Sequence, residues 1–261
     1  MTPKVSGDIQ NLLAREELFV DPQRPSWTNV GPHVLVVDDF YENPDELRRL
    51  GLEQTFVQYS PPTEDQVPSS AIDYSQFDDI SGMIFTTALK AFRGSPVKKP
   101  LPGFRYNPPW LMKKMEELTG RLINPASWEP GGDYWNGAFN LREAGTHTLD
   151  TIHHHYHETN AHAFGWNGVI YLTPEVPPST VSGTSFWRDR RTGRCVAGYG
   201  EMFSTDQQHF ECMAFVTYKY NRLVLFRENV IHKVEGGFGR GKAARLTQSF
   251  FFQSIPPSLS D

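Results

Sequence analysis

After Pro125 the chain offers no apolar run long enough for a typical helix. It breaks instead into short segments separated by Gly, Pro, Asn and Asp: Tyr134 to Leu141, Thr151 to His157, Gly168 to Leu172, Gly183 to Trp187, Phe215 to Tyr218, Arg222 to Phe226 and Arg245 to Phe252. Several are rich in β-branched or aromatic residues. Short segments of this kind, punctuated at close intervals, predict a β-sandwich or barrel. The aromatic content of 13%, with 18 Phe, 10 Tyr and 6 Trp, suits strands that enclose an aromatic-lined cavity.

The first half reads differently. Residues 1 to 31 are polar and contain proline, and read as an arm. Val34 to Phe40 reads as a buried strand. At Asn43-Pro44-Asp45-Glu46 a helix starts: Asn43 can cap, Pro44 suits the first helical position and Glu46 can reach back to the cap. That helix is predicted over 43–54. A second is predicted over 78–92, carrying Ile80, Met83, Ile84, Ala88 and Phe92. A third is predicted over 110–123, with Leu111, Met115, Leu118 and Leu122 at helical spacing. The expected organisation is one domain over 32–261, α+β but mainly β, with helices packed outside a β-core.

Within the β-rich half, Thr151-Ile152-His153-His154-His155-Tyr156-His157-Glu158 crowds histidines into one strand's length of chain. Side chains alternate faces along a strand, so His153 and His155 can reach one metal together. Imidazole is the commonest transition-metal ligand near neutral pH. A third ligand must come from elsewhere, and His232 is well placed: it follows the buried-strand pattern Arg222 to Phe226 and precedes the turn Glu235-Gly236-Gly237-Phe238-Gly239. Behind it come Arg245 and Thr247, two apart and so on one strand face. A guanidinium fork with a hydroxyl beside it suits the far carboxylate of a dicarboxylic keto acid whose other end a metal chelates. The 13 positions from His232 to Arg245 suit a turn and the next antiparallel strand. Tyr134, Asn136 and Asn140 alternate onto one face of the strand before the histidines, and Asn140 is the best placed to bond the keto acid. Tyr134, Trp187, Arg188 and Arg190 are candidates for holding substrate; no catalytic residue is expected beyond the metal site.

These pieces, in this order, resemble the 2-oxoglutarate and Fe(II)-dependent oxygenase superfamily, and within it the prolyl-hydroxylase-like branch. Ile152-His153-His154-His155 sits where that family has His-x-Asp. Trp166-Asn167-Gly168-Val169-Ile170-Tyr171-Leu172-Thr173-Pro174 resembles the strand that follows. Gly183-Thr184-Ser185-Phe186-Trp187-Arg188 resembles its Gly-Gly-Thr-x-Phe turn. Asn221 to Phe226, then His232, then Arg245-Leu246-Thr247 resemble the distal histidine and keto-acid strands. Val36 to Pro44 resembles the usual entry to these domains. The resemblance implies a double-stranded β-helix (jelly roll, cupin-like), with Fe(II), 2-oxoglutarate and O2 as cofactor and cosubstrates.

In one place the chain departs from that pattern: the metal carboxylate is replaced by His155. The expected ligand set is then His153, His155 and His232, with Asp150 or Glu158 as alternative oxygen ligands. An all-imidazole set leaves the site one unit more positive and opens three courses. The enzyme could hydroxylate, could run desaturation, ring formation or C–C cleavage, or could have dropped the keto acid as unrelated three-His dioxygenases do. A jelly-roll module that keeps a metal without catalysis is the non-enzymatic alternative.

The net charge of -5 gives no phosphate-binding footprint, so no nucleic-acid partner is expected. No apolar run reaches the roughly 18 residues of a membrane helix, and Met1-Thr2-Pro3-Lys4 opens no signal peptide. The 2 cysteines, Cys195 and Cys212, are too few for a disulfide framework. The expected setting is cytoplasmic. The expected partner is a small polar metabolite, an amino acid or a derivative, and a homodimer is compatible with the chain.

Overall fold

The computed structural model describes residues 33–54, 56–59, 84–86, 104–128, 136–145, 152–155, 164–198 and 207–255. Strand β1 is Val34–Val37, helix α1 Pro44–Leu52, β2 Val57–Tyr59 and β3 Ile84–Thr86. Helix α2 is Pro109–Thr119, followed by the single turn α3, Pro125–Trp128. The remaining strands are β4 Phe139–Arg142, β5 Phe164–Tyr171, β6 Gly183–Asp189, β7 Phe210–Thr217, β8 Leu223–Arg227, β9 His232–Glu235 and β10 Arg245–Ser254.

The strands form a large sheet, β1-β8-β5-β10-β4-β3-β2, and a small one, β7-β6-β9. Every named pairing is antiparallel. Residues 152–155 lie beside β9 through an antiparallel bridge between His153 and His232. From β4 onward the chain passes between the two sheets: β4 large, 152–155 small, β5 large, β6 and β7 small, β8 large, β9 small, β10 large. That alternation is a double-stranded β-helix, the jelly-roll core expected from the sequence.

The two faces of the large sheet bury different things. Along β5, Trp166 and Ile170 join the apolar cluster that includes Leu47 of α1, Leu111 and Met115 of α2, and Phe250 and Phe252 of β10. The alternate position, Tyr171, joins a second cluster with Phe186, Ala214, Val224 and Phe226, between the sheets. Period-2 alternation therefore assigns the faces: helices cover the outside, and residues 165, 167, 169 and 171 face inward.

Local chemistry accounts for the helix ends, with three departures from expectation. Pro44 opens α1, but Asn43 makes no side-chain cap bond; a proline in the first turn has already removed one of the donors a cap would serve. Helix α2 stops at Thr119 rather than running to 123, because Gly120 takes the left-handed conformation (φ 65°) and returns its N–H to the Glu116 carbonyl. Leu122 is consequently off the helix and exposed. Where a helix was expected over 78–92, the described residues Ile84–Thr86 are strand β3, paired to β2 and to β4. Ladder bonds on both sides override the helical spacing of the apolar residues. The arm over residues 1–31 lies outside the described residues.

Candidate metal centre

His153 and His232 are direct antiparallel partners. Each backbone N–H donates to the other's carbonyl at 2.8 Å, so their side chains emerge on the same side of the small sheet. His155, two residues on, shares the face of His153, and its N–H donates to the Glu228 carbonyl at 2.8 Å. Ring centroids are 4.3 Å apart for His153 and His232, 4.8 Å for His153 and His155, and 5.1 Å for His155 and His232. One ligand nitrogen from each of the three lies within 4.8 Å of the others.

The protonation state suits ligation. The Nδ1 of His232 is 2.9 Å from the Val230 carbonyl. In the tautomer that donates this bond, Nε2 keeps its lone pair, the arrangement found in metal-bound histidine. Burial holds the His232 pKa well below its ordinary value, and the neighbouring His153 adds to the effect against the Val230 bond. It is therefore a neutral imidazole at physiological pH. Phenyl rings back the cluster: Phe226 lies 4.4 Å from His232 and Phe251 lies 5.0 Å from His155, centroid to centroid.

The donors fit a divalent transition metal. Metal–imidazole bonds are about 2 Å, which places neighbouring nitrogens roughly 3 Å apart on one cation; small side-chain rotations bring the three nitrogens to that spacing. An all-nitrogen set suits iron, zinc, copper or nickel rather than magnesium or calcium. Among the described residues no carboxylate joins the group. Asp150, His157 and Glu158 lie outside the described residues.

Glu228 lies at the rim of the same interior. Its carboxylate occupies the space that a side chain at position 165 would need, since a Cβ there would meet Oε2 at 1.8 Å. Glycine at 165 is thus what lets a buried carboxylate sit on the inner face.

Deeper in the barrel, Arg245 opens β10 and is 1% exposed. Its guanidinium lies 5.4 Å from the Tyr171 ring and 5.6 Å from the Tyr218 ring, and Nη2 donates to the Gly183 carbonyl at 3.4 Å. Those two rings stack at 4.4 Å. The Tyr171 hydroxyl is 2.8 Å from the Thr184 hydroxyl. Burial raises the phenol of Tyr171 above its usual range and pushes Tyr218 up to about 12, so both stay neutral donors. Thr247 is the direct partner of Asn140 on one side and of Tyr171 on the other. The Asn140 Nδ2 donates to Ser249 Oγ at 2.8 Å. Arg245, Thr247 and Asn140 thus share the inner face with the strands that back the triad.

Strand β10 is not the antiparallel neighbour of β9 that the spacing from His232 to Arg245 suggests: it lies in the other sheet, between β5 and β4. Arg245 therefore belongs to the sheet opposite His232.

Of the substrate candidates, Trp187 lies beside the triad through its backbone, its N–H donating to the Ile231 carbonyl at 2.9 Å. The Trp187 indole donates to Ser185, Arg188 is paired with Glu211, and Arg190 donates to the Phe210 carbonyl at 3.2 Å. These side chains engage within the small sheet. Asn136 sits in a turn before β4, not in a strand; its amide joins the Trp128 carbonyl to the Phe251 N–H and is structural. Tyr134 lies outside the described residues. Sequence reasoning did not single out Phe226, Phe251, Glu228 or Asn167 as site residues. Strand periodicity carried a signal for some of them: once Arg245 and Thr247 face inward, Ser249 and Phe251 must too.

A surface cleft of about 790 Å³ lies elsewhere, between α1 and α2, lined by Tyr41, Trp110 and Lys113 among others. It is on the outer face of the large sheet, away from the imidazoles. No helix among the described residues is long and apolar enough to cross a membrane.

No family model matches the chain, and no curated protein does. Among solved structures it is similar to a prolyl hydroxylase in complex with a hypoxia inducible factor oxygen degradation domain peptide fragment, from Trichoplax adhaerens. The identity is 11% and the TM-score 0.38, over 97% of this chain and 94% of that one. It is also similar to a non-heme alpha ketoglutarate dependent carbocyclase from nogalamycin biosynthesis, at 14% identity and TM-score 0.31, over 48% of this chain and 53% of that one.

Proposed function

We propose that the chain is a non-haem Fe(II) and 2-oxoglutarate-dependent oxygenase that oxidises a C–H bond of a small molecule. The observation that carries this reading is the convergence of His153, His155 and His232 inside a jelly roll whose interior also holds a buried arginine. The Arg245 guanidinium is a planar fork that matches a carboxylate bidentately, so a dicarboxylate is the ligand its chemistry suits.

His153, His155 and His232 would hold the metal, and bound iron would supply oxygen activation coupled to decarboxylation of the keto acid to succinate. The guanidinium of Arg245 would take the far carboxylate, with the Thr247 hydroxyl as a further donor and the Asn140 amide lining the path between. The Tyr171 and Tyr218 rings lie beside the guanidinium. Phe226 and Phe251 keep water from the imidazoles, which strengthens every polar contact made there. The substrate is proposed to be a small polar metabolite, such as an amino acid or a derivative, because the described inner face mixes aromatic rings with Asn140, Asn167, Thr247 and Arg245.

The all-imidazole donor set favours a second reading, a three-His dioxygenase that needs no keto acid. Oxygen uptake by iron-loaded protein, with and without 2-oxoglutarate, separates the two. Uptake with succinate release only when 2-oxoglutarate is present supports the first. Uptake indifferent to it supports the second. Metal-bound protein that consumes no oxygen under either condition, with a broad set of small-molecule substrates, leaves a non-catalytic metal module.

A further inference from the structure

Read across the large sheet, one row of inner-face residues is Phe226 on β8, Asn167 on β5 and Phe251 on β10, with Asn167 the direct partner of both phenylalanines. Phe226 packs on His232 and Phe251 on His155. Asn167 therefore stands at the centre of the wall that backs the three imidazoles, the polar member between two phenyl rings. It is 3% exposed, and its Nδ2 meets no acceptor among the described residues.

That arrangement is costly unless something else completes it. A buried amide donor without an acceptor has lost its hydration for nothing, and asparagine is a poor choice for a central strand on propensity. Asn136, which is equally buried, shows the structural alternative: its amide is bonded at both ends within the protein. Four residues back along β10 from Phe251, Thr247 pairs with Asn140, whose Oδ1 is also without a partner among the described residues. The interior between the imidazoles and Arg245 thus presents one unmet donor and one unmet acceptor.

We propose that Asn167 is a ligand-binding residue. Its amide donates a hydrogen bond to the anionic acceptor atom, oxygen or nitrogen, of the exogenous ligand that completes the metal's coordination, the metal-facing end of a keto acid or a small anion in its place. The inference rests on the reading of the triad as a metal site. A neutral donor set offers the metal-facing end of the ligand no charged partner other than the metal. A preorganised amide in a wall of phenyl rings stabilises that anionic end at little reorganisation cost.

The test uses Asn167→Leu, which keeps the size and removes the donor, and Asn167→Ser, which shortens it, in the full chain. Mn(II) binding is measured by calorimetry, then 2-oxoglutarate binding to the Mn(II)-loaded protein, then azide, an anion that has no use for Arg245. Expected for Asn167→Leu are Mn(II) affinity within about twofold of the parent and 2-oxoglutarate and azide binding weakened about tenfold or more. The metal-free variant should melt no lower than the parent, because an unmet buried donor has been removed. A purely structural asparagine would instead lower the melting temperature and leave anion affinity alone. Undiminished anion binding in both variants, with Mn(II) bound by the parent, overturns the assignment of Asn167 alone. A parent that takes up no Mn(II) overturns the metal reading and this assignment with it.

Discussion

His153 and His232 face each other as antiparallel partners, with both backbone hydrogen bonds at 2.8 Å and imidazole centroids 4.3 Å apart. The pairing explains how an imidazole from a His-rich segment and one nearly 80 positions away in sequence come to lie together: the β-ladder fixes both. The site is thus built by backbone register, and His155 follows from alternation along one strand.

Replacing Arg245 should separate cosubstrate binding from metal binding. Arg245→Met keeps an unbranched apolar side chain beside the stacked Tyr171 and Tyr218 rings and removes the charge. The expected result is unchanged Mn(II) affinity, with 2-oxoglutarate binding to the loaded protein weakened by about 2–5 kcal/mol, the range for losing one partner of a buried charge pair. Calorimetry on parent and variant checks both halves.

Gly165→Ala should be destabilising through one identifiable neighbour. The added methyl would sit 1.8 Å from Glu228 Oε2 and 2.8 Å from its Cγ, so the carboxylate must leave its place. The expected cost is about 1–3 kcal/mol. In a Glu228→Ala background most of that cost should vanish. Urea unfolding of the four members of this double-mutant cycle measures the coupling.

Asp38 gives a pH signature remote from the centre. The Arg222 guanidinium, bonded to it at 2.6 and 3.0 Å, and Lys219 at 2.9 Å hold its pKa down to about 2, against a smaller opposing effect of burial. A carboxyl whose folded pKa is depressed stabilises the fold above its unfolded pKa, and loses that contribution as pH falls through the folded one. Asp38→Asn should therefore cost less than about 1 kcal/mol at pH 7, since the groups are partly exposed. The difference from the parent should shrink between about pH 4 and pH 2. Denaturant midpoints at pH 7, 4 and 2.5 test the sign.

Period-2 alternation and the punctuation of short strands made a β-sandwich or barrel legible, and the shared face of His153 and His155 with it; the jelly roll itself came from the resemblance. The shared face of Arg245 and Thr247 was legible for the same reason. The sequence did not carry sheet membership: nothing local to residues 232–245 says that β9 and β10 belong to different sheets, a choice made by pairing with β6 on one side and with β5 and β4 on the other. Residues 84–86 misled because Ile80, Met83 and Ile84 recur at helical spacing, while long-range ladder bonds decided the outcome. Asn167 was hidden because nothing local to it says which strands flank its own. Only strands on both sides of it make it the centre of a wall.

Whether the three imidazoles hold one cation is measured most directly by an anaerobic Fe(II) titration of the metal-free chain beside His153→Ala, His155→Ala and His232→Ala. The parent should bind a single Fe(II) per chain, and each variant should lose about 100-fold or more in affinity while remaining folded by circular dichroism. If any one of the three variants binds Fe(II) as tightly as the parent, that histidine is not a ligand, and the site as described is wrong.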